Sequence, residues 1–173
     1  PNAARHVLYN SAENFAEVSL ELGGKSPFIV FEDANIESAV NGSVAGIFGA
    51  AGQSCVAGSR LYLHEDIADE FLDRMIEIAK GIKIGDPLLE ETQMGPLCTI
   101  GQLENIEKEV SHAIEEGGQV LHGGKRPSNM DGLFYEPTII SCNNQNMKIV
   151  DTELFGPVLS VLKFKTEEEV IGL

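Results

Sequence analysis

The chain switches between two hydrophobic periods, and each switch marks an element. Over residues 3–18 apolar side chains return at helical spacing (Ala4, Val7, Leu8, Phe15), with Asn10 and Ser11 as a break point. Residues 18–20 then read as a short strand leading into glycine-rich sequence. Pro27 cannot sit inside a helix, so the β-branched and aromatic run 28–31 reads as a buried strand. Asp33 and Asn35 are N-cap candidates for a helix over 36–51. On that helix Ile36, Val40, Val44, Ile47 and Phe48 form one stripe, while Gly42, Ala45, Gly46 and Gly49 keep the other face small enough for close backbone contact. Each interior glycine costs roughly 1 kcal/mol relative to alanine, which packing has to offset.

Gly52 ends this helix, and residues 60–63 return as a strand. Residues 67–82 form an amphipathic helix with Phe71, Leu72, Met75, Ile78, Ala79 and Ile82 inward and Asp69, Glu70, Asp73, Glu77 and Lys80 outward. Asp86-Pro87 opens a loop. Thr99 followed by Gln102 makes a capping box for a second amphipathic helix (Leu103, Ile106, Val110, Ala113, Ile114), stopped by Gly117-Gly118. Residues 120–121, 137–140 and 158–164 read as strands, and a new helix starts at Thr166. Strands alternating with helices predict an α/β fold, a three-layer α/β/α sandwich on a largely parallel sheet.

At 173 residues the chain can bury a real core, since a domain of ~150 residues removes roughly 70% of its unfolded surface from water. An apolar content of 43% argues against disorder, and no apolar run reaches the ~18 residues of a membrane span. The opening residues do not follow the pattern of a signal peptide. Twelve basic against 27 acidic residues leave a net charge of −15, which repels phosphate backbones and anionic membranes, so neither nucleic acid nor membrane is an expected partner. Three widely spaced cysteines, Cys55, Cys98 and Cys142, form no disulfide framework and suggest a reducing compartment, the cytoplasm. Without a CxxC or a His/Cys cluster, no metal site is expected.

The candidate chemistry lies in two turn-prone stretches. Glu21-Leu22-Gly23-Gly24-Lys25-Ser26-Pro27 carries an acid, and Gly52-Gln53-Ser54-Cys55 carries a thiol. A thiolate that attacks and a carboxylate that acts as base form the pattern of covalent catalysis. Taken singly, Glu21 reads as a surface or capping acid and Cys55 as a small buried hydrophobe; the glycine-bounded loop after a buried helix is what marks Cys55 as reactive. Cys98 and Cys142 lack that setting and read as structural. His64 lies past a strand from Cys55 and makes a poor dyad partner. Gly24-Lys25-Ser26 is not a phosphate loop, because Ser19 stands where its first glycine is needed, and no GxGxxG occurs.

Together with Glu153-Leu154-Phe155-Gly156-Pro157, these two stretches resemble the signature set of the NAD(P)-dependent aldehyde dehydrogenase superfamily. Gly58-Ser59-Arg60, Met94-Gly95-Pro96-Leu97 and Phe134 through Pro137 to Ile139 extend the resemblance over essentially the whole chain. The resemblance implies that Cys55 is the nucleophile, adding to an aldehyde carbonyl and passing through a thioester, and that Glu21 is the base that activates water to release the acid. It assigns Glu153 to the nicotinamide ribose and Phe155 to the nicotinamide, places Leu22 and Gly23 beside an NAD or NADP cofactor, and puts Ser54 and Val56 along the substrate tunnel. Lys25 and Arg60 match the pattern as well, although solvated or structural roles serve them equally.

The family also carries an earlier cofactor domain, whose glycine fingerprint, ribose lysine and oxyanion asparagine do not occur here. Residues 1–22 are therefore expected to be the tail of that domain, and 23–173 the greater part of a catalytic domain cut short at its C-terminus. Such a piece alone is expected neither to hold NAD tightly nor to oxidise an aldehyde. The parent is expected to act on a small-molecule aldehyde as a homodimer or homotetramer. A CoA-acylating semialdehyde dehydrogenase, a non-catalytic domain of the same fold and a cysteine hydrolase are the alternatives.

Overall fold

The computed structural model describes residues 2–173. β1 (Pro27–Val30), β2 (Arg60–His64), β3 (Gln119–His122), β4 (Thr138–Ser141) and β5 (Val158–Phe164) pair into one sheet in the order β1-β2-β5-β4-β3. The first four in that order run parallel, and β3 pairs antiparallel with β4 at one edge. Period-two alternation sends the strand side chains to opposite faces. Leu61, Leu63, Leu159, Val161 and Ile139 enter one core with α2 (Ile36–Phe48) and α3 (Glu65–Gly81). Tyr62, Ile140, Val158, Leu162 and Phe164 enter a second core with α4 (Ile100–Glu115), α5 (Lys148–Asp151) and α6 (Glu167–Gly172). A helix layer on each face of a mostly parallel sheet is the α/β/α sandwich that the alternation predicts.

The caps act largely as the sequence implies. Asn35 Oδ1 accepts from the Ser38 N–H at 2.9 Å and starts α2. Gly117, at φ +92°, ends α4 as the Gly118 N–H returns to the Ala113 carbonyl at 2.7 Å. Thr99 Oγ1 accepts from the Gln102 N–H at 3.2 Å and starts α4, but only this half of the capping box forms. The Gln102 side chain turns away to the carbonyl of Phe155.

Several expectations fail for local reasons. Residues 18–20 form no strand: β1 is an edge strand paired with β2, and Ser19 and Leu20 face solvent. Asn10 and Ser11 do not break α1 (Asn2–Asn14), because their side chains bond back to the carbonyls of His6 and Leu8. The helix read over 36–51 stops at Phe48: Gly49 leaves the helical conformation (φ −55°, ψ 139°), and Ala50, Ala51 and Gly52 follow with positive φ. Ile78 and Ile114, read as inward, lie exposed at the margins of their stripes. The four-residue α5 is too short to leave a period in the sequence.

Candidate active site at the amino edge of the sheet

β1, β2 and β5 are neighbours and parallel, with Pro27 in register with Arg60 and Arg60 with Ser160. The segments that precede these three strands therefore arrive at the same edge: 21–25 before β1, 53–59 before β2 and 153–157 before β5. Open parallel sheets commonly bind ligands beyond the carboxyl ends of their strands. Here the motifs gather at the amino ends.

A cleft of about 520 Å³ is walled by Glu21, Leu22, Gly23, Gln53, Ser54, Cys55, Glu153 and Phe155. It contains every residue to which the resemblance assigns a role in the site except Val56, which is 77% exposed and lies outside its lining. A second cleft of similar volume, between α2 and α3, is lined by Glu37, Asn41, Asp73 and their neighbours and carries none of the motif residues.

The first cleft is built by close backbone approaches. The Gly24 N–H donates to Glu153 Oε1 at 3.1 Å, and any side chain on Gly23 would overlap the Glu153 carboxylate. Gly24 also abuts the Cys55 carbonyl, 3.7 Å from where its own Cβ would stand. Two stretches of this wall are strained. Ala50 and Ala51 ahead of the thiol have φ of +49° and +53°, and Phe155 has φ of +53°. Such left-handed non-glycine residues cost on the order of 1–3 kcal/mol each and persist only where their surroundings hold them.

Two glutamines provide part of that hold. Gln53 Nε2 donates to the carbonyls of Ala50 (3.3 Å) and Pro96 (3.2 Å), while its Oε1 accepts from the Cys98 N–H at 2.9 Å. Gln102 donates to the Phe155 carbonyl. Sequence reasoning passes over both, reading Gln53 only as part of the thiol motif and Gln102 as a cap. Behind the wall, Arg60 Nε donates to the Lys25 carbonyl at 2.8 Å and its Nη1 to Tyr62 Oη at 3.2 Å; that hydroxyl donates to Gln145 Oε1 at 2.7 Å. Burial, with the Arg60 guanidinium alongside, lowers the Lys25 ammonium to about 8.

The remaining thiols and histidines stand apart. His64 ends β2 at the far edge of the sheet, where it faces the Lys165 carbonyl at 3.0 Å and caps α3. No histidine lines the cleft among the described residues. Cys142 is buried in the second core, and burial raises its thiol. Cys98, read as structural, is exposed, although its N–H is held by Gln53.

The sequence profile of the aldehyde dehydrogenase family matches residues 1–173. This chain belongs to that family. The (Z)-2-((N-methylformamido)methylene)-5-hydroxybutyrolactone dehydrogenase of Acinetobacter baylyi is 52% identical over 172 residues, covering 99% of this chain and 35% of that protein. The peroxisomal aminoaldehyde dehydrogenase 2 of Pisum sativum is 49% identical over 168 residues, covering 96% of this chain and 33% of that protein. Among solved structures, PnpE in complex with nicotinamide adenine dinucleotide superposes with a TM-score of 0.94 at 45% identity, over 99% of this chain and 36% of that one. Betaine aldehyde dehydrogenase from Staphylococcus aureus in complex with NAD+ gives a TM-score of 0.92 at 41% identity, over 99% of this chain and 35% of that one. The chain thus spans about a third of the length of the curated relatives it matches. In this chain the amino-edge cleft is built from the segments that precede three neighbouring strands, and among the described residues no helix is long and apolar enough to cross a membrane.

Proposed function

We propose that this chain supplies the thiol-bearing part of an enzyme that oxidises an aldehyde to a carboxylic acid with NAD or NADP. The observation that carries this reading is the shared cleft: a thiol and two carboxylates, from three separate segments, wall one opening. Cys55 Sγ, as thiolate, adds to the aldehyde carbon to give a thiohemiacetal, whose oxyanion the Cys55 N–H helps to hold. When bound, the nicotinamide cofactor supplies the hydride acceptor that turns this adduct into a thioester. Glu21 takes a proton from water as the water adds to the thioester carbonyl; the Cys55 thiolate leaves, and the carboxylic acid departs. Glu21 also serves as a base for the Cys55 thiol.

The residues present fit the nicotinamide riboside end of such a cofactor. The Phe155 ring, 41% exposed, offers an apolar face, the Glu153 carboxylate an acceptor for ribose hydroxyls, and Leu22 and Gly23 an open stretch of backbone and apolar surface. Among the described residues no basic side chain lines the cleft, so groups elsewhere in the protein would hold the cofactor's phosphates. Residues 1–22 then form the tail of a cofactor-binding domain and 23–173 the greater part of a catalytic domain, in a cytoplasmic homodimer or homotetramer. By itself the chain neither holds the cofactor tightly nor turns over. Ser54, and Val56 once further chain covers it, border the aldehyde. The aminoaldehyde and betaine aldehyde dehydrogenases among its relatives, with the two carboxylates of the cleft, favour a cationic aldehyde.

The test is reduced-cofactor formation by the whole protein with neutral and cationic aldehydes. Turnover is expected to vanish in Cys55→Ala and to stall in Glu21→Gln, with an acyl group retained on Cys55 by mass. An acyl-CoA product would replace water with CoA as acceptor, and a well-folded whole protein inert toward every aldehyde would leave a structural domain of the same fold.

A further inference from the structure

We propose that Gln53 and Gln102 are positioning residues, which tie the thiol loop and the Phe155 loop to one strap, residues 96–102, and keep Cys55 and Phe155 in register. The inference rests on the reading of Cys55 and Phe155 as reaction-site residues.

Gln53 is two residues from Cys55 and uses both ends of its amide. Its Nε2 grips the Pro96 and Ala50 carbonyls, and its Oε1 takes the Cys98 N–H. Gln102, a turn into α4 on the same strap, grips the Phe155 carbonyl. The carbonyls of Ala50 and Phe155 belong to the left-handed residues of the two loops, so each amide fastens a strained residue. Packing follows the same path. Gly52 lies against the Gly156 carbonyl, and Gly156 is covered by Ile106 of α4 and by Leu97 of the strap. Gln53 donates twice and accepts once, a combination that glutamate cannot supply. Neither glutamine is needed for its helix: α4 is already capped by Thr99, and Gln53 lies beyond α2.

The experiment compares Gln53→Met, Gln102→Met and the double variant in the whole protein, with Val40→Ala in the core that α2 and α3 share as a destabilised control. Three readouts are amide exchange at 50–55 and 153–157, the alkylation rate of Cys55 resolved by peptide mass, and kcat against cofactor KM. Each single variant is expected to speed exchange in both loops, including the one it does not touch. Gln53→Met should change Cys55 alkylation and lower kcat by about tenfold to a hundredfold, the scale of a small misplacement of a reacting group. Gln102→Met should act mainly on cofactor KM, and the double variant should lose less than the product of the singles, because both act through one strap. Exchange and alkylation no different from Val40→Ala, or effects confined to the nearer loop, would overturn the proposal. If the parent protein shows no turnover, the functional reading fails, and exchange and alkylation still decide on the strap.

Discussion

Gly52 and Gly156 meet backbone to backbone. A Cβ on Gly52 would fall on the Gly156 carbonyl and within 3.0 Å of the Pro157 nitrogen, and Gly52 has φ of +69°. The thiol loop and the Glu153–Phe155 loop touch here with no side chain between them. Gly52→Ala should therefore destabilise by about 2–4 kcal/mol, combining a left-handed alanine with a backbone collision. A urea midpoint within error of the parent would show that the loops can part at no cost.

Lys25 should make stability depend on pH. Its ammonium is lowered to about 8 in the fold from 10.5, chiefly by burial, so between these values the unfolded chain binds a proton that the folded chain has released. Stability then rises with pH across that window, and below about 8 the full cost of burying the charge is present, roughly 3 kcal/mol. Lys25→Met should stabilise the protein by about 1–3 kcal/mol near neutral pH, with a gain that fades toward pH 10. Urea unfolding at both ends of the window checks this, and a gain independent of pH would locate the effect in packing.

Glu109 is 3% exposed, with Oε1 held by Lys148 Nζ at 2.5 Å and Oε2 without a partner among the described residues. The pair joins α4 to α5, which leads into Glu153. Removing the ammonium in Lys148→Met strands a buried carboxylate, and an expected loss of about 2 kcal/mol allows for the half-exposed lysine. Replacing both residues by methionine should recover most of it. A double-mutant cycle with no coupling would show that the carboxylate finds another partner.

The three thiols should separate by reactivity. Cys55 and Cys98 are exposed and Cys142 is buried, with its thiol raised by that burial. With a thiol reagent at mildly alkaline pH, two groups should react at once and the third slower by at least about a hundredfold, its rate limited by opening of the core. Three equal rates would contradict the burial of Cys142.

The strand runs, the caps at Asn35 and Thr99, the glycine stop at Gly117 and the order of the three motifs were all legible because each depends on residues a few positions apart. What escaped depends on distant partners. Residues 18–20 have strand-like side chains but no neighbouring strand to complete a ladder. Gln102 has the sequence of a capping-box partner, yet its amide finds a carbonyl in Phe155, far along the chain. Val56 follows Cys55 in sequence, but the turn after Ser54 leaves it facing outward.

By itself the sequence determined the α/β class and the family, and singled out Glu21 and Cys55 as candidates, because local periodicity, turn chemistry and motif spacing are properties of short stretches. Only the tertiary structure decided that the motifs meet, and where. Strand order β1-β2-β5 and its parallel register carry Glu21, Cys55 and Glu153 to one amino edge, a consequence of long-range pairing that no single stretch contains.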